Sequence, residues 1–183
     1  MKEEQHRAVL MTLIKSLRGK GSWCGETHIQ KAAFFLKKLT HVPIDFDFIL
    51  YKHGPYSFDL HDELSIMRAF ELLDLEVSYP YGPRFADTDM GNNLLKRFPK
   101  MPAQYQKQIA FIADQLADKG VAELERLATA YYVTLDNPDS DQEARAKAIV
   151  DLKPHIKLDA ARQAVCDVDV MVEQVREEAL VAA

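Results

Sequence analysis

The chain reads as mostly helical, with a small β-hairpin in its first half. Three observations predict this. Apolar residues recur at helical spacing through most of the 183 residues, the i, i+3, i+4, i+7 rhythm that gives a helix one buried face. The short segment Leu75-Glu76-Val77-Ser78-Tyr79 alternates instead, and Arg84-Phe85-Ala86 returns after Pro80-Tyr81-Gly82-Pro83; period two is the signature of a strand. Finally, helix, helix, extended segment, turn, helix and hairpin follow in that order within residues 1–98. This is the order of a winged-helix-like unit with its wing near 75–86, and a helical C-terminal region, 103–183, follows it.

The first helix is expected over Glu3 to Leu17, because Val9, Leu10, Leu13, Ile14 and Leu17 share a face. Gly19 and Gly21 close it by supplying the left-handed backbone of a C-cap and turn. A second helix from about Glu26 to Leu39 turns Ile29, Ala32, Ala33, Leu36 and Leu39 inward and leaves Gln30, Lys31, Lys37 and Lys38 outside. Pro43 ends that segment. From Phe46 to Tyr51 the alternation places Phe46, Phe48 and Leu50 on one side of an extended piece. Gly54-Pro55 then makes a structural turn that sets the entry of helix three, since Gly reaches φ > 0 and Pro fixes φ. Ser57 is its N-cap, and Leu60, Leu64 and Met67 form its buried side.

Asp87 or Thr88 caps a helix from Asp89 to Phe98, and Pro99 and Pro102 mark the boundary between the two regions. Beyond it, helices are expected over Tyr105 to Ala117, Ala122 to Val133, Asp141 to Leu152 and Leu158 to about Leu180. The last has Leu158, Ala161, Val165, Val168, Val172 and Val175 inward. Breaks fall at Lys119-Gly120, Asn137-Pro138 and Lys153-Pro154-His155.

Composition excludes several classes. With 48% hydrophobic and 28% charged residues, the chain can bury a core and is not disordered by composition. No apolar run approaches the ~18–20 residues of a membrane span, and the acid-bearing N-terminus lacks the apolar stretch of a signal peptide. The two cysteines, Cys24 and Cys166, form neither a disulfide framework nor a metal signature, as expected of a cytoplasmic protein. Charge is uneven. Residues 1–108 carry about +2 and residues 109–183 about −7 of the net −5, so the C-terminal third is a poor candidate for phosphate contact and the first half the better one.

Nothing in the chain spells out an enzyme. No GxSxG, GxGxxG, P-loop or HExxH pattern occurs. His61-Asp62-Glu63 is dense in metal-capable groups, but consecutive residues point about 100° apart around a helix and do not converge. Acids there instead stabilise the positive end of the helix dipole. Cys24 with His28 or His53 has nothing to orient it as a nucleophile. The expectation is therefore no catalytic residue, no metal and no cofactor. The aromatic set Phe34, Phe35, Phe46, Phe48, Tyr51, Tyr56, Phe58 and Phe70 is read as core in preference to a base-stacking platform.

The segments "IQKAAFFLKK", "FDFILYKHGPYSFDLHDELSIM", "LEVSYP", "LERLATAYYV" and "LKPHI" resemble the bacterial YwgA-type family of uncharacterised proteins and predicted transcriptional regulators, over roughly residues 5 to 165. More distantly, the first half is similar to the Panacea domains of antitoxins. Gln30-Lys31 and Tyr51-x-His53-Gly54-Pro55-Tyr56-Ser57 are the specific parts. The resemblance implies a winged-helix-like unit with a helical extension, and it carries over no catalytic residue. One departure is Lys157, which stands where a Ser, Thr or Asp cap would be expected before the last helix.

Two functions are expected from different classes. One is a transcription regulator binding duplex DNA, as a homodimer, through Lys31, Lys52, His61, Arg68 and Arg84. The other is a protein-interaction module, antitoxin-like or a defence-associated adaptor, that binds a protein partner and no DNA. The acids Asp59, Asp62 and Glu63 at the start of helix three oppose the first. A continuous basic stripe along helix three and the wing would favour DNA, and an apolar groove there a protein partner.

Overall fold

The computed structural model describes residues 3–182. The described residues form nine helices and two separate two-stranded antiparallel hairpins. The N-terminal half runs α1 (Glu3–Gly19), α2 (Glu26–Lys38), β1 (Ile49–Tyr51), β2 (Gly54–Tyr56), α3 (Phe58–Ala69), β3 (Leu73–Ser78), β4 (Gly82–Asp87) and α4 (Asp89–Arg97). The C-terminal half is helical throughout: α5 (Lys100–Gln104), α6 (Gln106–Leu116), α7 (Val121–Asp136), α8 (Gln142–Leu152) and α9 (Leu158–Glu177). No described helix is long and apolar enough to cross a membrane.

Helix α2 is the axis of the fold. Every residue from His28 to Leu36 is buried, as expected of a helix packed on all sides. It contacts α1, α6, α7 and strand β2. Phe35 stacks on Tyr131 of α7 with centroids 5.3 Å apart, and Phe34 meets Phe48 and Tyr131 edge-on at 5.5 and 5.8 Å, geometries that suit the aromatic quadrupole. The Tyr131 hydroxyl donates to the Lys38 carbonyl at 2.9 Å, and burial pushes its pKa up to about 12. One contiguous apolar core extends from Val9 of α1 to Leu180 beyond α9. The break expected at Pro99 and Pro102 is occupied by α5, which packs back on α1.

Local chemistry explains the ends of these elements. The Ser57 and Thr88 hydroxyls accept from the amides of Leu60 and Gly91, and the Asp141 carboxylate accepts from Ala144, so α3, α4 and α8 are capped by their side chains. Helix α9 begins at Leu158 with Lys157 in the cap position and no side-chain cap. The β3–β4 hairpin pairs Leu73 with Asp87 and Ser78 with Gly82, which extends the expected wing by a residue or two at its base. At its tip Val77, Tyr79 and Tyr81 are exposed.

Two expectations need correction. Gly54-Pro55 does not form the turn into helix three: Gly54 and Pro55 open strand β2, paired with Tyr51 and Leu50, and the turn lies at Lys52-His53. Gly54 does take a left-handed φ of +83°. Gln30 and Lys31 are not on an outer face either: they are 0% and 1% exposed. The expected aromatic core also divides. Phe34, Phe35 and Phe46 are buried, whereas Tyr51, Phe58 and Phe70 are more than half exposed.

Candidate functional site

The β1–β2 hairpin is held from below by α2. The Gln30 side-chain amide donates to the Ser57 carbonyl and accepts from the Ser57 amide, both at 2.9 Å. It thereby satisfies a buried backbone much as a neighbouring strand would. One residue on, Lys31 Nζ donates to the Pro55 carbonyl at 2.8 Å. Burial lowers the Lys31 pKa to about 8, against the opposing pull of the Glu125 carboxylate and with the help of Lys153. Lys31 therefore serves the interior and has no path to a phosphate, which removes it from the expected nucleic-acid set.

From the other side the hairpin is gripped by the C-terminal half. Lys153, between α8 and α9, donates from Nζ to the carbonyls of Tyr51 and Lys52, the latter at 2.7 Å. Glu125 of α7 lies beneath the turn and is 6% exposed. Its carboxylate faces Lys153 at 4.0 Å, His155 Nε2 at 3.2 Å and His53 Nδ1 at 3.6 Å. No hydrogen bond reaches Glu125 Oε1. Thr129, one helical turn further along α7, leaves its buried hydroxyl unpartnered. That hydroxyl would stand 3.1 Å from a Cβ placed on Gly54.

What this clamp presents is aromatic. Tyr51, Tyr56 and Phe58 make a mutual cluster with centroid distances of 5.1–5.7 Å. Tyr51 and Phe58 are each 52% exposed, and Ile49 beside them is 51% exposed. Glu26 fixes one border: its Oε1 accepts from the Tyr56 hydroxyl at 2.8 Å and lies 2.8 Å from His61 Nδ1. Burial and the Glu26 carboxylate hold the Tyr56 phenol well above its usual range. Asp59 and Asp62 extend the acidic border along α3.

The remaining expected residues are scattered. Lys52 and Arg68 are exposed and carry no ion pair among the described residues. His61 is committed to Glu26. Arg84 lies on β4, not at the hairpin tip; it pairs with Glu76 at 2.8 Å and covers the Trp23 ring at 5.2 Å. On α3, Glu63 accepts from Arg7 Nε at 2.6 Å. The exposed side of α3 shows Phe58, Asp59, His61, Asp62, Ser65, Ile66, Arg68 and Ala69, with Phe70 just beyond its end, which is no basic stripe. No group of three or more metal-capable side chains converges among the described residues.

Glu125, Thr129, Lys153 and His155 are parts of this site that the sequence alone did not single out. No protein-family model matches the chain, and no curated protein matches it either.

Proposed function

We propose that this protein is a protein-interaction module on a winged-helix-like frame, and that it docks a partner through Ile49, Tyr51, Tyr56 and Phe58. The observation that carries this is the exposed aromatic cluster on a hairpin fixed by buried lysines. Rigid, exposed tyrosine and phenylalanine surface is the composition of an interface centre, and a pre-organised patch loses little entropy on binding. Glu26, Asp59 and Asp62 rim the patch, so its complement is a peptide segment with apolar side chains between Lys or Arg. The likeness to the Panacea domains of antitoxins fits this reading, whereas the likeness to YwgA-type predicted regulators favours the DNA-binding alternative. Duplex DNA suits the surface poorly: Lys31 is internal, Arg84 is engaged, and α3 opens with carboxylates that phosphates repel.

The test is site-specific photo-crosslinking in the native host, with the photoreactive residue at Phe58 or, as a control, at the exposed Val170 of α9. The expected result is one covalent protein adduct from position 58 alone, mapped to a basic–apolar segment and lost in Asp59→Arg/Asp62→Arg. A mobility shift on duplex DNA at low salt that disappears in Lys52→Ala/Arg68→Ala would overturn the proposal in favour of the regulator.

A further inference from the structure

Strand β2 packs on α2 and α7 and pairs with β1, which leaves β1 as the outer strand of the hairpin. The two-residue turn Lys52-His53 makes Tyr51 and Gly54 the closing hydrogen-bonded pair. Pairs alternate along an antiparallel ladder, so Leu50 and Pro55 are a non-bonded pair. Pro55 fits that place: it has no N–H, and its carbonyl goes to Lys31 instead of β1. The N–H and C=O of Leu50 therefore point outward, and those of Phe48, two residues earlier, share that edge. None of these groups has a hydrogen-bond partner among the described residues.

The edge runs beyond the three residues that pair with β2. Burial alternates without a break from Val42 to Tyr51. Val42, Ile44 and Phe46 are buried, Phe48 and Leu50 are half-buried, and the residues between them are exposed. Period two over this span is extended chain. Lys37 closes the edge at one end by donating to the Phe46 carbonyl at 2.7 Å. Lys153 holds the turn at the other end. Between them the edge is open, and an open edge is a template for another strand.

The side chains along the edge select that strand. Ile49 and Tyr51 share a face with Tyr56, which lies opposite Ile49. Asp47 continues the same row, with its side chain 96% exposed. We propose, resting on the docking function above, that the partner segment adds to β1 as an antiparallel strand, with apolar side chains beside Tyr51 and Ile49 and a Lys or Arg beside Asp47. Its backbone exchanges hydrogen bonds with Leu50 and Phe48, which supply affinity, and the alternating row supplies selectivity. Antiparallel pairing is the commoner sense and continues that of the hairpin.

The experiment is an NMR titration of the isotope-labelled full chain with the peptide Thr-Val-Thr-Val-Thr-Lys-Thr, blocked at both ends. Saturable binding is expected, with hydrogen exchange slowed at the Leu50 and Phe48 amides. N-methylating the two threonines that flank the second valine removes the donors facing Leu50 and Phe48 and keeps every side chain. It should weaken binding about tenfold or more. Asp47→Lys should weaken it about threefold. Binding unchanged by N-methylation, or without protection of Leu50 and Phe48, overturns strand addition and leaves docking through side chains standing. No binding at millimolar peptide also overturns it, and the adduct from position 58 then decides whether the docking function survives. Protection of Leu50 that rises with protein concentration in the absence of peptide assigns the edge to a second copy of this chain, and overturns the proposal.

Discussion

Replacing Gly54 by alanine should destabilise the protein by about 2–3 kcal/mol. Two contributions add up to this. A non-glycine residue in the left-handed region costs ~1–2 kcal/mol, and Gly54 sits at φ +83°. The new Cβ would also lie 3.1 Å from Thr129 Oγ1, 3.4 Å from the Glu125 carbonyl and 3.6 Å from Lys31 Cε. Relieving that contact shifts the turn against α7 and loosens the Lys31–Pro55 hydrogen bond, where a charged donor is worth about 1.5–3 kcal/mol if lost outright. For a chain of this length the sum corresponds to a fall in Tm of about 4–12 °C. Urea and thermal denaturation, followed by circular dichroism, measure it. In a Thr129→Ala background the same substitution should cost less, because the contact is removed while the backbone strain remains. A Gly54→Ala protein melting within about 1 °C of wild type would refute both the strained turn and its close approach to α7.

Two further predictions concern the clamp. Gln30→Met should cost about 1–3 kcal/mol in urea denaturation and speed hydrogen exchange at the Ser57 amide, because that N–H is left buried without an acceptor, while the Ser57 carbonyl keeps the His61 amide at 3.2 Å. Lys31 should make wild-type stability rise, relative to Lys31→Met, as pH goes from about 8 to about 10.5: its pKa is about 8 folded against the ordinary 10.5 of a free lysine, so the unfolded chain holds the extra proton across that window and alkali relieves the cost of burial. The comparison with Lys31→Met is needed because the Cys24 thiol, pushed up to about 12 by burial, acts in the opposite sense. Equal slopes for the two proteins between pH 8 and 10 would remove Lys31 from the account.

Much of the architecture was legible because it is local. Five apolar residues on one face define α1, and Ser57 and Thr88 announce α3 and α4 by capping them. The β1–β2 hairpin was not, since its strands have three residues each and one holds a proline, so no alternation develops in β2. Gln30 and Lys31 were placed outside because they are polar. A signal was nevertheless present: they precede Phe34 and Phe35 by four residues, and residues four apart share a helix face. The candidate site was less legible still. Lys153 reaches the Lys52 carbonyl across 101 positions, and Glu125 shares no local pattern with Lys31, His53 or His155. Charged groups in this site converge only after the chain has folded back on itself.

The same separation sets an order of events during synthesis. Strands β1 and β2 leave the ribosome early, but the ammonium that caps their turn is 101 residues behind. At about 5–20 residues per second, that delay is about 5–20 s. Until Glu125 arrives Lys31 lacks its countercharge, and until Lys153 arrives the aromatic cluster rides on an unfinished hairpin. The aromatic surface is thus completed by the C-terminal half, and a chain cut short after α6 should display the aromatic residues without holding them in place.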